Sequence, residues 1–421
     1  MTDTRIAWAL ATVGLMLCGC NDDGTVGVTP DGAMDASHPD GRSSGDSRVP
    51  EDGDVDGSSL DPDAGRDAYC MGSGPPVDVR DSEDTGVEET CSGRIAERLF
   101  RYAVCSCGAL SLDSPFATDS FDSREGPYTD GESGGPVGAN GRYEHVGEAT
   151  IGGSLLVGGA GGMHVEAPHQ IEGDLQSNGA LTTTGDMTVR RDAWVRGDVT
   201  ADGPLHVNRD LTQPPGATST GDFTVDGTQN TDEFTVDQPC ACSGDDVLDI
   251  HGLVETAETH NDNDEVGLDP DVLDMPADTE IEIPCGRFYL SAIRIDSPLT
   301  IRVTGRAAVF VDSVVDVSDD VTIETSEDAE LDLFVSGSVH THSPLSFGSA
   351  DNPASVRVYV GGSRVTLDDE ATFMGNLYAP NAAVRVVSAP LEVFGSVFAG
   401  FFDATADVAI HYDRGILRAG D

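Results

Sequence analysis

The feature that most constrains the fold is a short aromatic-centred block that recurs through the last third of the chain. Its members occupy 287–290, 308–311, 332–335, 357–360, 376–379 and 396–399. Their aromatic residues lie at positions 289, 310, 334, 359, 378 and 398, so the steps between them are 21, 24, 25, 19 and 20 residues. Gly, Ser, Asp or Pro bounds each block, which is typical of short β-strands. Self-similarity at this period predicts stacked repeats whose aromatic residues align into a ladder.

Two further series of short strands recur at a similar period. One occupies 321–323, 345–347, 371–373, 391–393 and 408–410, and the other 315–317, 339–341, 365–367 and 384–386. Three strands in each 20–25 residues are what a triangular coil requires, and each coil buries its inward residues against its neighbours. The sequence therefore predicts an all-β chain that forms a right-handed parallel β-helix, or solenoid. An antiparallel sandwich of short strands is the alternative.

A weaker repeat upstream has the form aliphatic-X-Gly-(Asp or Ser)-aliphatic, at 151–155, 171–175 and 195–199. These segments are 20 and 24 residues apart, and Gly at the third place is suited to corners that need a positive φ. We predict a first solenoid region over 91–235, a Cys-containing helical insertion over 236–280 and a C-terminal β-helix over 281–421.

Two helices interrupt the strands. Ser92 is placed to cap a helix that ends near Cys105, with Leu99 among its apolar residues. Ser243 is placed to cap a second helix that continues to about Ala257. We expect both to cap the open ends of the solenoid.

The first twenty residues are typical of a bacterial lipoprotein signal. Arg5 precedes a short apolar run, and the sequence Leu17-Cys18-Gly19-Cys20 resembles a lipobox. This predicts a signal peptide over 1–19 and lipidation, including palmitate, on Cys20. Asn21 favours the outer membrane or cell surface as the destination. An ordinary cleaved signal with incidental cysteines is the alternative.

Residues 20–90 read as a disordered acidic tether. From 21 to 90 the chain has 19 acidic residues and 4 Arg, a net charge of −15. Such a composition favours an extended, self-repelling linker. The run from Asp52 to Gly57, with Asp63, matches part of a calcium loop but lacks flanking helices. The whole chain has a net charge of −52 and no Lys, which argues against nucleic-acid binding.

Seven cysteines remain when Cys18 and Cys20 are set aside. For an exported protein we expect disulfides among Cys91, Cys105, Cys107, Cys240, Cys242 and Cys285. The odd residue, Cys70 in the tether, is expected to be a free thiol. Pairing between the two Cys-X-Cys motifs is favoured over a zinc site built from them, although sequence leaves the connectivity open.

Three sets of polar residues are candidates for chemistry. Asp232, Asp245 and Asp246 resemble fragments of pectin-cleaving β-helix hydrolases and could serve as acid and base if they met Arg294 in a groove. The segment 261–265 with Asp269 and Asp271 is oxygen-rich, so Ca²⁺ is a possible cofactor, although turn formation explains it equally well.

The remaining polar motifs favour structural explanations. His340 and His342 lie on one side of a strand but lack an evident third metal ligand. Arg196-Gly197-Asp198 spells an integrin tripeptide but falls inside the coil motif. No metal ligand or catalytic residue is therefore assigned.

Three runs resemble a known family. They are Asp119-Ser120-Phe121-Asp122-Ser123-Arg124-Glu125-Gly126-Pro127-Tyr128; Asp262-Asn263-Asp264 with Gly267-Leu268-Asp269-Pro270; and 375–380 with 395–400 and His411-Tyr412-Asp413. Together they resemble a bacterial domain of unknown function found in surface lipoproteins of myxobacterial type and in pilus-associated proteins. The resemblance implies a β-helical extracellular domain without known catalytic residues. We take His411 and Tyr412 as a structural terminus of the last coil.

These observations predict a cell-envelope lipoprotein whose solenoid is structural or adhesive and not an enzyme. Its partners would be the membrane, through the lipid, and extracellular polysaccharide or other surface proteins. A polysaccharide-cleaving hydrolase or lyase on the same scaffold is the alternative, and clustered Asp, Arg or His in one groove would favour it.

Overall fold

The structure is a computed structural model, and it describes residues 65–72, 99–129, 131–244 and 247–419. Cys20, Cys91, Ser92, Asp245 and Asp246 lie outside the described residues, as do the signal segment and most of the predicted tether.

The first half of the fold consists of short strands, most of them three residues long, joined by equally short corners. They are β1 (Val104–Ser106), β2 (Leu110–Leu112), β3 (Phe116–Phe121), β4 (Val137–Ala139), β5 (Tyr143–His145), β6 (Ala149–Ile151), β7 (Leu155–Val157), β8 (Met163–Val165), β9 (His169–Ile171), β10 (Leu175–Ser177), β11 (Leu181–Thr183), β12 (Met187–Val189), β13 (Ala193–Val195), β14 (Val199–Val207), β15 (Leu211–Gln213), β16 (Ser219–Val225) and β17 (Gln229–Thr231).

The second half has longer strands. They are β18 (Glu280–Ile283), β19 (Gly286–Leu290), β20 (Ile293–Ile295), β21 (Leu299–Val303), β22 (Arg306–Val311), β23 (Val315–Val317), β24 (Val321–Thr325), β25 (Glu330–Val335), β26 (Val339–Thr341), β27 (Leu345–Gly348), β28 (Val356–Val360), β29 (Arg364–Leu367), β30 (Ala371–Val386), β31 (Leu391–Ala404) and β32 (Val408–Asp413).

The helices are few and short. They are α1 (Arg66–Cys70), α2 (Ile250–Thr259), α3 (Asn263–Val266) and the 3-10 helices Pro353–Ser355 and Arg414–Arg418. The prediction that Ser243 caps the second helix is wrong, because α2 begins at Ile250 and the Asp249 carboxylate accepts the Gly252 N–H at 3.0 Å. The first predicted helix does not reach Cys105, which already lies in β1.

The strands build a parallel β-solenoid of about 14 turns, as the sequence predicts. Each strand pairs in parallel with the strand one coil before and one coil after it. Three faces result, which we call A, B and C after the coil order β1, β2, β3. In the first half a coil takes 18 residues, since Leu181 pairs with Met163 on one side and Val199 on the other.

The two halves form one solenoid in an order that the sequence does not reveal. Strands β31 and β32, near the C-terminus, pair with β1, β2 and β3. Face A therefore runs β19, β22, β25, β28, β30, β31, β1, β4, β7, β10, β13, β15, β17. The second half precedes the first in space, so the predicted succession of a first region and then a C-terminal region is corrected. The chain starts in the middle, grows to one end, returns and grows back.

The chain between β17 and β18, residues 232–279, makes this return, and we call it the return segment. It runs along the outward side of face A, where α2 packs on β19, β22 and β25 and buries Ile250, Leu253, Val254 and Ala257. Because α2 lies across three successive coils, it covers a side of the solenoid. The expectation that this helix caps an open end is wrong.

The aromatic ladder exists, and it lies on the outward side of face A, beneath the return segment. Phe310 stacks on Phe334 with ring centroids 4.8 Å apart, and Phe334 on Tyr359 at 4.5 Å. Tyr378 extends the ladder, and its hydroxyl accepts the Leu248 N–H of the return segment at 3.3 Å. The solenoid interior of this half is lined instead by aliphatic residues such as Leu333.

The predicted tether is ordered at residues 65–72, so its assignment as linker is wrong there. Cys70 forms a disulfide with Cys285, and the Arg66 side chain donates to the Cys285 carbonyl at 2.8 Å. The ring of Tyr69 is buried below the Arg306 guanidinium, which lies 4.3 Å from its centroid. Helix α1 is thereby fixed to the end of the solenoid where the second half begins.

Candidate functional site

A groove of about 450 Å³ crosses face C where the two halves of the solenoid meet. Its walls come from five neighbouring strands, β30, β31, β32, β3 and β6, which lie side by side only because of the re-entrant chain order. The lining residues are Pro115, Phe116, Ala117, Glu148, Ala149, Thr150, Glu370, Ala371, Thr372, Pro390, Leu391, Glu392, Asp407, Val408 and Ala409.

Small outward residues create the groove. Ala117 and Ala409 occupy the outward positions of two paired strands, β3 and β32, so the surface is low between their neighbours. At one edge the residues that precede the five strands alternate between carboxylates and prolines: Glu370, Pro390, Asp407, Pro115 and Glu148. With strands about 4.8 Å apart, successive carboxylates are separated by about 9.6 Å.

An aromatic and acidic cluster lies beside the groove, two residues further along the same strands. His411 Nδ1 is 2.8 Å from Asp119 Oδ1, and His411 Nε2 is 3.3 Å from Glu392 Oε1. Tyr128 donates its hydroxyl to Asp119 Oδ2 at 2.8 Å and lies over the His411 ring with centroids 4.1 Å apart. Phe394 packs on the other rings.

Electrostatics favour a charged imidazole in this cluster. Burial works against the cation, but hydrogen bonds and charge from Asp119 and Glu392 outweigh it and raise the pKa of His411. Because both ring nitrogens already face carboxylates, His411 joins β3, β31 and β32 electrostatically and has no free nitrogen for proton abstraction. Tyr412 donates to the Phe100 carbonyl at 2.7 Å. These residues are structural, as expected, but they lie at the central junction and not at a terminus.

One family model covers part of the chain. Residues 227–418 match a domain of unknown function, DUF7305. The DUF7305 region comprises β17, the return segment and β18 to β32, so the groove combines residues inside it with residues of β3 and β6 outside it. Neither the curated proteins nor the solved structures include a significant match.

The hydrolase-like residues do not converge. Asp232 follows β17 at one end of the solenoid, whereas Arg294 of the DUF7305 region lies on β20 at the other, in an ion pair with Asp274 at 2.9 Å. Twelve strand spacings separate those coils, a distance on the order of 55 Å. The groove with clustered Asp232 and Arg294 that would favour the hydrolase is therefore not formed.

The oxygen-rich loop of the DUF7305 region closes the free edge of β19. The Asp262 carboxylate accepts the Arg287 N–H at 2.7 Å, and the Asp262 N–H donates to the Arg287 carbonyl at 2.7 Å. The Asn263 side chain likewise pairs with both backbone groups of Tyr289, at 2.8 and 3.0 Å. These side chains imitate a neighbouring strand, which protects an edge from pairing elsewhere. Edge closure explains the Asn and Asp content of the loop that calcium binding was considered to explain.

The rest of that loop is also engaged in local bonds. Asp269 accepts the Asp271 N–H at 3.0 Å, and Asp271 accepts the Ser291 hydroxyl at 2.5 Å. Across the described residues, no three His, Cys, Asp or Glu side chains are arranged to hold a metal ion.

The two remaining motifs are surface features. His342 pairs with Asp368 at 3.0 Å, and its ring lies 6.2 Å from that of His340. In the tripeptide 196–198, Arg196 donates to Asn178 at 3.0 Å and the Asp198 carboxylate accepts the Thr218 N–H at 2.7 Å. Both charged ends of the tripeptide thus bond to neighbouring coils.

Three disulfides are present in the described part of the chain. Cys105 pairs with Cys240 and Cys107 with Cys242, each across 135 residues, and they fasten the return segment over the junction. A zinc site from these four cysteines is excluded because all four sulfurs are bonded. The free thiol predicted at Cys70 is wrong, since Cys70 is bonded to Cys285; its partner is brought near only by the position of α1.

Sequence reasoning missed the groove and the role of Tyr128. The outward Ala117 and Ala409 are 292 residues apart in sequence, and only the pairing of β3 with β32 makes them neighbours. No helix in the described ranges combines the length and apolar content that a membrane span requires.

Proposed function

We propose that this chain is a cell-envelope lipoprotein whose solenoid is a non-catalytic structural or adhesive element. The lipobox at Leu17-Cys18-Gly19-Cys20 supports export and lipidation of Cys20. Three disulfides support an oxidising compartment outside the cytoplasm. The resemblance to surface lipoproteins and pilus-associated proteins is consistent with display at the outer membrane or cell surface.

The junction groove is the observation that carries the adhesive function. It is open along its length, spans five strands and places carboxylates at regular intervals beside the Tyr128 and Phe394 rings. Aromatic rings and carboxylates are groups that hold sugar rings by stacking and hydrogen bonding. An extended polysaccharide that lies across the coils is the ligand that this shape fits best.

A glycan array with the mature chain tests the proposal. The triple variant Glu148→Gln, Glu370→Gln, Asp407→Asn should lose at least tenfold in affinity for any glycan that the wild type binds. The matched control, Asp202→Asn, Asp222→Asn, Glu233→Gln, removes the same charge at exposed positions of the opposite end and should bind normally. Equal loss in both variants, or no bound glycan at all, would contradict the groove as an adhesion site.

The same incubation distinguishes adhesion from cleavage. A non-catalytic protein leaves the bound polysaccharide at its original length, which size-exclusion chromatography measures. Release of oligosaccharide by the wild type, and not by the groove variant, would overturn the non-catalytic proposal in favour of the hydrolase or lyase.

Lipidation is tested separately. Metabolic labelling with a palmitate analogue should mark the wild type and not Cys20→Ala, and the variant should leave the membrane fraction. Cys18→Ala is the matched control and should remain labelled. Labelling of Cys20→Ala would contradict the anchor without bearing on the groove.

A further inference from the structure

Two histidines are buried inside the first half of the solenoid, in contact with each other. His145 is the inward last residue of β5, and His169 is the inward first residue of β9, one coil further on. Their rings meet edge to face with centroids 4.7 Å apart, and His145 Nδ1 lies 2.9 Å from His169 Nε2. We call them the imidazole pair.

The outer nitrogen of each ring faces a backbone carbonyl. His145 Nε2 is 2.8 Å from the Ser114 oxygen, and His169 Nδ1 is 2.8 Å from the Ala167 oxygen. A carbonyl can only accept, so each of these nitrogens carries a proton. A neutral imidazole has one N–H, and the two facing nitrogens of the pair, Nδ1 of His145 and Nε2 of His169, are then both bare.

Two bare nitrogens at 2.9 Å place one lone pair against another. Tyr143 relieves only one of them, because its hydroxyl lies 3.1 Å from His145 Nδ1 and can donate there. The hydrogen-bonded chain from the Ser114 carbonyl to the Ala167 carbonyl has three gaps, and the neutral pair has two protons. A third proton completes the chain.

We propose that the imidazole pair is a buried proton-binding site that takes up one proton, shared between His145 Nδ1 and His169 Nε2. The proton comes from solvent and forms one N–H bond, so the pair changes from neutral to a single positive charge. On the His145 side it can also be donated to Tyr143 Oη, which then acts as acceptor. A second proton would set two N–H groups against each other at 2.9 Å, so the folded site holds only one.

The surroundings of the pair are almost uncharged. Its partners in register are Leu112 and Val165 beside His145, and Ala149 and Met187 beside His169. The Phe116 ring packs edge-on against His145 at 6.2 Å. The charged group that acts on His145 is Asp113, in the turn after β2. Desolvation therefore opposes the cation, and the site fills only on acidification below the ordinary range of histidine.

Nitrogen-15 spectra of the histidine-labelled full chain between about pH 8 and pH 3.5 test the proposal. Both rings should change together at one midpoint below about 6.5, the unperturbed histidine value. Their summed change should correspond to one proton, as expected of a coupled pair. Two separate full protonations, or no protonation before unfolding, would overturn it.

His169→Gln removes one partner and provides a second readout. Without a nitrogen to share its proton, His145 should titrate at least one pH unit lower than the pair does in the wild type. His164→Gln, on the exposed side of β8, is the matched control and should leave the pair's midpoint unchanged. An unchanged His145 midpoint in His169→Gln would contradict sharing. If His169→Gln does not fold, the wild-type titration decides alone.

Discussion

At the scale of single residues, the most deeply buried charges lie on the outward side of face A. Arg357 is 1% exposed, and Asp332 is fully buried. The guanidinium forms two bonds to Asp332, at 2.6 and 2.8 Å, and further bonds to Glu330 and to the Ala354 carbonyl. Every donor direction towards neighbouring strands is therefore satisfied, as buried ions require.

Arg357→Leu should destabilise the protein by about 3–5 kcal/mol, because it leaves the Asp332 carboxylate buried without its counterion. The double variant Arg357→Leu, Asp332→Leu removes both charges and should lose clearly less stability than the single one. Guanidinium-induced unfolding measures both. A double variant as unstable as the single one would show that the coupling between the two charges is not the cause.

His411 should give the protein a stability that depends on pH. Because its pKa is raised in the folded state, its contribution is complete below the unfolded value of about 6.5 and is lost as the pH rises through the folded pKa. Unfolding free energy should therefore fall between about pH 6.5 and pH 9, and His411→Gln should flatten this fall. His206→Gln, an exposed histidine, should leave it intact. An unchanged slope in His411→Gln would contradict the role of the cluster.

At the scale of elements, the three strand series were predictable and the surroundings of face A were not. Val315, Val339 and Val365 recur because each begins an equivalent strand that faces the interior. Strand β28 is buried at all five positions, so it lacks the alternation that would distinguish its inward from its outward side. Sequence therefore identified the aromatic ladder without showing which side it occupies.

The corner repeat was recognised but assigned to one series when it belongs to two corners. Segments 151–155 and 171–175 connect face C to face A, whereas 195–199 connects face A to face B. The true successors of Asp174 are Asp192 and Asp210. Each carboxylate accepts the N–H of the equivalent residue one coil on, at 3.2, 3.0 and 2.7 Å. Corner bonding of this kind conceals the period because it needs only the Asp and tolerates any residue before it.

The interior of the second half contains an apolar void of about 90 Å³. Val365→Ile adds a methylene group at its wall and should stabilise the protein by about 0.5–1 kcal/mol. The same change at Val195, buried in the first half away from the void, should be destabilising because nothing there is left to fill. Denaturant midpoints measure both, and a stabilising Val195→Ile with a neutral Val365→Ile would contradict this account of the packing.

At the scale of the whole molecule, the charge and the chain order have structural explanations. The net charge of −52 includes carboxylates that bond at corners, close the edge of β19 and border the groove, so part of it is structural. The chain order could not be predicted because strands such as β31 and β1 are paired across nearly the whole sequence. Their Val- and Ala-containing segments are compatible with many partners, and only complete stacking selects one.

The re-entrant order makes a circular permutant the decisive test of the topology. Residues 99 and 419 both lie near the junction, since Tyr412 bonds to Phe100 and the last 3-10 helix follows β32 directly. A chain that runs from 232 to 419 and continues through a Gly/Ser linker to 99–231 follows the spatial order of the coils from end to end. It retains both disulfides of the return segment, with Cys285→Ser because Cys70 is absent.

This permutant should fold to the same strand content as the linear 99–419 chain with the same Cys285→Ser change. Chain ends that lie close together tolerate such rearrangement. The two proteins should unfold cooperatively within a few degrees of each other by circular dichroism, because every strand pairing is retained. The permutant should also refold faster, since the pairings of β31 and β32 with β1–β3 become short-range. A permutant that stays unfolded while the linear control folds would show that β31 and β32 do not stack on β1–β3.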